Sequence, residues 1–318
     1  MVSRLRWWMS STMAAVAAVG WGVGIAVVQP ATEPTRIAEN NDYWARDARL
    51  MLITLALCAF VWAVRGDRLL GPLGLAGAFV WLGADIALDR AGLAGTTAAV
   101  AASAVAAGAV ATAWFLASRR ARRPARAPLV LASAVAATVA GIGCGVQSPT
   151  DTEAALTVSG FMLGLLGVAV SLGCAYVLTP ASRWSLLTVG AAAVALAVLS
   201  RLSSPGPLSL PLGILLTTLL LAVVTMRAMG ARSASAWIGS VVGSLTLLVL
   251  IGMTTIMLGL FLPLGEPLTA LAGSPPVNAA DEDVLLTAVA VLTGLGTGGA
   301  IAKMARVAAD PWPESAAT

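Results

Sequence analysis

Ser118-Arg-Arg-Ala-Arg-Arg-Pro-Ala-Arg-Ala-Pro128 separates two long apolar runs and carries five arginines: Arg119, Arg120, Arg122, Arg123 and Arg126. Guanidinium groups at that density cannot lie in hydrocarbon, so the stretch marks a membrane boundary within a very apolar chain. Of 318 residues, 58% are hydrophobic and 11% charged, whereas a soluble domain carries about 25% charged residues. Runs of some 20 apolar residues recur on both sides, each long enough to cross ~30 Å of hydrocarbon. They lack period-two alternation, so helices rather than barrel strands must satisfy the backbone. The chain reads as an all-α, polytopic integral membrane protein built as one membrane domain over 1–318.

Ten spans are predicted outward from the arginine loop, at 8–28, 50–64, 69–88, 93–117, 129–146, 154–178, 184–199, 208–226, 236–262 and 284–302. The run ending at Gln29-Pro30 offers no small-x-small cleavage site, so it is expected to be a retained span. Span two is short and is expected to draw in residues 44–49 by snorkelling. A polar loop is expected over 263–283. Ten spans place both termini on the side of the arginine loop. That side collects 14 of the 19 cations and three of the 15 acids; the other has five cations and 12 acids. The positive-inside rule then makes both termini cytoplasmic. Arginine supplies 18 of the 19 cations, Lys303 being the sole lysine, a usage expected of a GC-rich bacterial genome and hence of a bacterial cytoplasmic membrane.

The spans divide into halves at 1–146 and 154–306. Five spans each would give the halves inverted topology, the usual construction of secondary transporters. The short spans two and seven occupy equivalent positions. Spans five and ten share a glycine rhythm, Gly141-Ile-Gly143-Cys-Gly145 and Gly294-Leu-Gly296-Thr-Gly298-Gly299. In span count, length and placement of termini the chain resembles the drug/metabolite transporter superfamily. That resemblance is architectural and rests on no sequence motif; it implies alternating-access transport of a small molecule.

Residues 294–299 also match G-x-G-x-x-G, but inside an apolar run instead of between a strand and a helix. Gly141, Gly145, Gly294, Gly296 and Gly298 are therefore expected to serve helix packing or a hinge, not a dinucleotide. Gly20/Gly24, Gly160/Gly164 and Gly239/Gly243 suggest further packing seams.

Asp85 and Asp89, one helical turn apart in span three, are the candidates for a proton- or cation-coupling site. An intramembrane acid needs a partner or a wet cavity, and Arg49, Arg90 and Arg201 are the available cations. Glu39, Asp42 and Trp44 form a candidate outer-loop binding group. Their structural alternatives are a helix cap at Asp42 and an aromatic belt at Trp44. Asp281-Glu282-Asp283 is expected to cap span ten.

Cys58, Cys144 and Cys174 read as small buried hydrophobes, without a C-x-x-C pair. Histidine is absent, which excludes imidazole catalysis and histidine metal ligation, and no catalytic motif is present. No metal, cofactor or nucleic acid is expected. The arginine loop is expected to anchor topology and to attract anionic lipids. Two functions follow: a secondary transporter or exporter, or a scaffold, sensor or subunit of an envelope or secretion assembly with a partner chain.

Overall fold

The computed structural model describes residues 2–32, 44–119, 124–146, 154–179, 182–204, 206–231, 233–262, 265–273 and 284–309. No strand occurs among them. The helices are α1 (Val2–Val23), α2 (Trp44–Ala63), α3 (Leu70–Arg90), α4 (Thr96–Ser118), α5 (Arg126–Gly145) and α6 (Ala154–Leu178). They continue with α7 (Arg183–Leu202), α8 (Ser209–Met229), α9 (Ala234–Phe261), the short α10 (Gly265–Ala272) and α11 (Leu285–Ala309). Among the described residues, nine helices are long and apolar enough to cross a membrane. The other long helix, α2, has 20 residues but carries Arg46, Asp47 and Arg49 near its start. The chain is an all-α, polytopic membrane protein.

The first helix runs further than its apolar stretch. α1 passes through a π-helical turn (Gly24–Val28) into a last α-turn (Gln29–Thr32), taking Pro30 with it. Proline lacks the N–H that would bond the carbonyl four residues earlier. That carbonyl, on Ala26, instead accepts the Gly95 amide at 2.8 Å, so the irregularity joins α1 to the start of α4. Ser103 of α4 adds a hydroxyl bond to Val19 O at 3.2 Å. The expected polar loop after α9 contains a helix as well: α10, which packs on α3.

In lipid, a helix can be apolar all round, so burial depends on how closely its backbone can be approached. The centre of the bundle is α5, packed against α6, α8, α11 and α2. Its apolar window is 78% buried, against 6% for α9 and 11% for α3. Small residues admit it there. A Cβ on Gly213 of α8 would lie 2.6 Å from Gly141 O, with Gly145 alongside. A Cβ on Gly294 of α11 would lie 2.5 Å from Val135 Cα, while Gly298 faces Leu131 and Ala134. Gly296 points the other way, onto Ile251 of α9.

Gly160 and Gly164 meet Gly143 and Cys144, and Gly20 and Gly24 meet Leu52 and Arg49. Gly239 and Gly243 do not form the expected seam: nothing lies within 4 Å of a Cβ at either. Their spacing suits packing, but α9 turns that face away from the bundle. Helix pairing also differs between the two sets of five. α1 lies along α2 and α4, whereas α6 packs on α7 without a comparable seam to α9.

Gly294→Val is expected to lower stability by about 1–3 kcal/mol through overpacking on α5. Gly299→Ala, with nothing within 4 Å, is expected to be neutral or stabilising by up to ~1 kcal/mol. Thermal denaturation of the two variants in detergent checks the contrast.

Candidate functional site: a buried arginine–aspartate cluster beside an apolar cleft

The hairpin of α2 and α3 places the charged residues together. Its turn uses positive φ at Arg65 (58°) and Gly66 (65°). Asp67 Oδ1 then accepts the Leu69 and Leu70 amides at 2.9 and 3.0 Å, capping α3. From this turn, residues 46–49 and 85–89 lie roughly 20 residues away along antiparallel helices, and so end up opposite each other. Helical spacing aligns each pair on one face: Arg46 with Arg49, and Asp85 with Asp89.

Arg49 lies between both carboxylates. Its Nη2 donates to Asp85 Oδ2 at 3.1 Å and Asp89 Oδ2 at 2.9 Å, and its Nε stands 3.0 Å from Asp85 Oδ1. Arg46 Nε lies 2.9 Å from Asp89 Oδ2. Two neutral donors from the first helix complete the cluster. Trp21 Nε1 donates to Asp85 Oδ1 at 2.7 Å, and Gln29 Nε2 to Asp89 Oδ1 at 2.5 Å. Trp21 also meets Trp81 of α3 edge-on, with ring centroids 5.5 Å apart. Two cations face two anions, which is how ionised groups are tolerated away from water. Arg49 Nη1, also buried, has no hydrogen-bond partner among the described residues.

The same turn of α2 holds two further helices. Asp47 Oδ1 accepts the Thr287 amide at 2.7 Å and the Thr287 hydroxyl at 2.6 Å. It thereby caps α11 from another helix. Trp44 Nε1 donates to Ser159 Oγ of α6 at 3.2 Å. Residues 44–49 therefore do not snorkel, and Trp44 is not in an interfacial belt: Trp44 and Arg49 are 1% exposed and Arg46 3%. Pairing with α3, α6 and α11 replaces the water that snorkelling would have sought.

Of the expected partners of Asp85, only Arg49 fills that role. Arg201 is buried on α7 and donates through Nε to Thr157 O at 3.2 Å, outside the cluster. Arg90 Nη1 reaches Leu271 O of α10 at 3.1 Å. Glu39, Asp42, the acids at 281–283, Arg120, Arg122 and Arg123 lie outside the described residues. Arg119 ends α4 with its guanidinium 4.1 Å from the Phe115 ring centroid, and Arg126 opens α5.

Sequence reasoning did not pair Arg46 with the aspartates, and it missed Trp21, Gln29 and the Asp47–Thr287 cap. Arg46, one turn before Arg49, was the available signal; nothing local pointed to the others.

Alongside the cluster runs an apolar cleft of about 870 Å³ between α3 on one side and α5 and α11 on the other, with α2 as its floor. Leu50, Ile53 and Leu57 form that floor; Leu75, Phe79, Leu131 and Leu292 stand in the walls. Phe79 is 64% exposed and Leu295 43%, so the cleft opens sideways, where lipid would lie. Asp85 and Asp89 do not line it. They fasten one end of α3 from behind, while the cleft separates that helix from α11. A second cavity of about 850 Å³ lies among α6, α7, α8 and α9, near Tyr176, Ser182, Ser185, Arg227 and Ser233. Among the described residues, no three His, Cys, Asp or Glu side chains are grouped to hold a metal ion.

No protein-family model, curated protein or solved structure matches the chain.

Arg49→Ala leaves two buried carboxylates short of their central cation and is expected to cost about 3–5 kcal/mol. Arg49→Met combined with Asp85→Leu removes one charge of each sign and is expected to recover part of that loss. Unfolding midpoints in detergent compare the two. Asp47→Ala is expected to cost about 0.5–2 kcal/mol as a lost helix cap. Hydrogen exchange at the Thr287 amide should rise in that variant while exchange in α5 stays unchanged.

Proposed function

We propose that the chain is a transporter of a small, largely apolar molecule that enters the α3–α11 cleft from the bilayer. The observation that carries this reading is the cleft itself. Its volume falls within the ~300–1,000 Å³ typical of ligand pockets, and it is open to the side and mainly apolar, with Asp67 and Arg68 at one end. α3 is suited to be the moving wall, because its main contacts are with α2 and the short α10.

Asp85 and Asp89 are the coupling element in this reading. With both ionised, Arg46 and Arg49 hold that end of α3 to α2. Protonating either carboxylate removes one negative charge and weakens the tie, so that this end of the cleft opens. Arg49 Nη1, without a partner among the described residues, supports a second pairing arrangement, since a buried donor without a partner costs about 1–3 kcal/mol. Alternating access then becomes rocking of α3 on α2.

Vesicles containing the full chain, with an imposed pH gradient, test the proposal using ethidium and a short-chain fluorescent phosphatidylcholine as probes. At least one probe should cross faster than in protein-free vesicles. Ala288→Trp, which fills the cleft, should cut that rate by about tenfold, or ~1.4 kcal/mol. Asp85→Asn should abolish its dependence on the gradient. Rates equal to those of protein-free vesicles for both probes count against transport, and a wild-type rate indifferent to the gradient removes the coupling role. The alternative is a non-transporting membrane component whose cleft receives a partner's helix. A stoichiometric partner that co-purifies in mild detergent and crosslinks to Leu75 or Leu292 would favour it.

A further inference from the structure

At the end of the molecule away from the arginine–aspartate cluster, three arginines from separate elements meet. Arg68 precedes α3, Arg126 is the first residue of α5, and Arg306 lies in the last turn of α11. They line one depression of about 570 Å³ around Pro124 and Pro128. All three are exposed. No ion pair or hydrogen bond links any of them to an acid among the described residues. Asp67, next to Arg68 in the chain, is buried, with Oδ1 engaged by the Leu69 and Leu70 amides. Other cations at this end are differently placed: Arg119 lies over Phe115, and Arg227 donates to Ser185 Oγ at 3.3 Å.

The depression adjoins the apolar cleft, since Arg68 and Pro128 line both. Along α3 the cleft extends from Asp67 to Leu82, about 22 Å at 1.5 Å per residue. That exceeds the ~15 Å depth of one leaflet, half the ~30 Å hydrocarbon thickness. Three exposed guanidinium groups, without an acid partner among the described residues, therefore open directly onto a long apolar slot. Guanidinium forks match phosphate oxygens, and the amino end of α5 adds the positive end of a helix dipole. A soluble phosphate would leave the slot unused, and an uncharged lipid would leave the arginines unused.

We propose that Arg68, Arg126 and Arg306 bind the phosphate headgroup of an anionic phospholipid whose acyl chain lies in the α3–α11 cleft. The site does not depend on transport: the lipid is held there whether it is a passenger or a fixed ligand that sets the position of α3.

Native mass spectrometry of the full chain, offered equal amounts of phosphatidylglycerol and phosphatidylcholine with matched chains, provides the test. The wild type should retain phosphatidylglycerol preferentially. Arg68→Gln with Arg306→Gln should lower that preference by about fivefold for each arginine removed. Arg119→Gln with Lys303→Gln removes the same charge from the same end and should leave the preference intact. Gly71→Phe places a ring at the headgroup end of the cleft, where a Cβ meets nothing within 4 Å, and should reduce retention. Inorganic phosphate should not displace the lipid. No preference in the wild type, or an equal loss in both double variants, overturns the site. Displacement by inorganic phosphate overturns the placement of the acyl chain.

Discussion

The arrangement of the bundle depends on pairing two arginines with two aspartates away from water. An isolated guanidinium or carboxylate is costly in that environment, and the cost falls only when an opposite charge and further donors are close. Arg46 and Arg49 therefore confine α2 to positions where α3 can supply Asp85 and Asp89. Because Trp21 and Gln29 also donate to those carboxylates, the first helix must lie on the same side. The turn that carries the arginines also carries Asp47 and Trp44, which fix α11 and α6. Within two turns, α2 gathers contacts to four other helices, and 17 of its 20 residues are buried.

The same pairing explains why α3 is peripheral yet fixed. Gly71, Gly77 and Gly83 of α3 have nothing within 4 Å of a Cβ. Only Gly74 is tightly met, by Phe60 of α2. The helix thus packs on α2 and on the short α10, and the faces that carry Gly71, Gly77 and Gly83 are free. Nonpolar packing alone would be a weak hold, because lipid tails solvate its leucines about as well as neighbouring helices do. Ion pairs are not replaceable by lipid in this way. They tie one end of α3 to α2, while the other end turns back through a capped hairpin. Along the free flank that faces α11, the cleft remains open.

Hydropathy made the spans legible because length and apolarity are properties of each segment alone. The positions of Asp85 and Asp89 on one face followed from helical spacing in the same way. What lay beyond the sequence was which side of each apolar helix faces protein. Gly239 and Gly243 repeat the spacing of Gly141 and Gly145, yet only the latter pair meets a neighbour. The charged residues at 44–49 were assigned to water by their position near a predicted helix end. Their burial depended on partners 36 to 43 residues away for the arginines and 240 for Asp47, and no local pattern encodes such distances. Pro30 offered a milder version of the problem. Its missing N–H predicts an orphan carbonyl at Ala26, but not that Gly95 would meet it.

The two ends of the cleft satisfy charge by opposite means. At the end of Asp85 and Asp89, anions are matched by the protein's own arginines and by indole and amide donors. At the other end, Arg68, Arg126 and Arg306 surround a depression without a matching acid among the described residues. Positive charge left at a membrane boundary is ordinary when it is scattered, since anionic headgroups screen it collectively. Here it converges from three elements onto the mouth of an apolar slot, and the geometry asks for a molecule with one anionic end and a long apolar remainder. A ligand of that kind would touch α3, α5 and α11 together. It would supply, on the open flank of α3, a contact of the kind that α2 makes on the opposite flank.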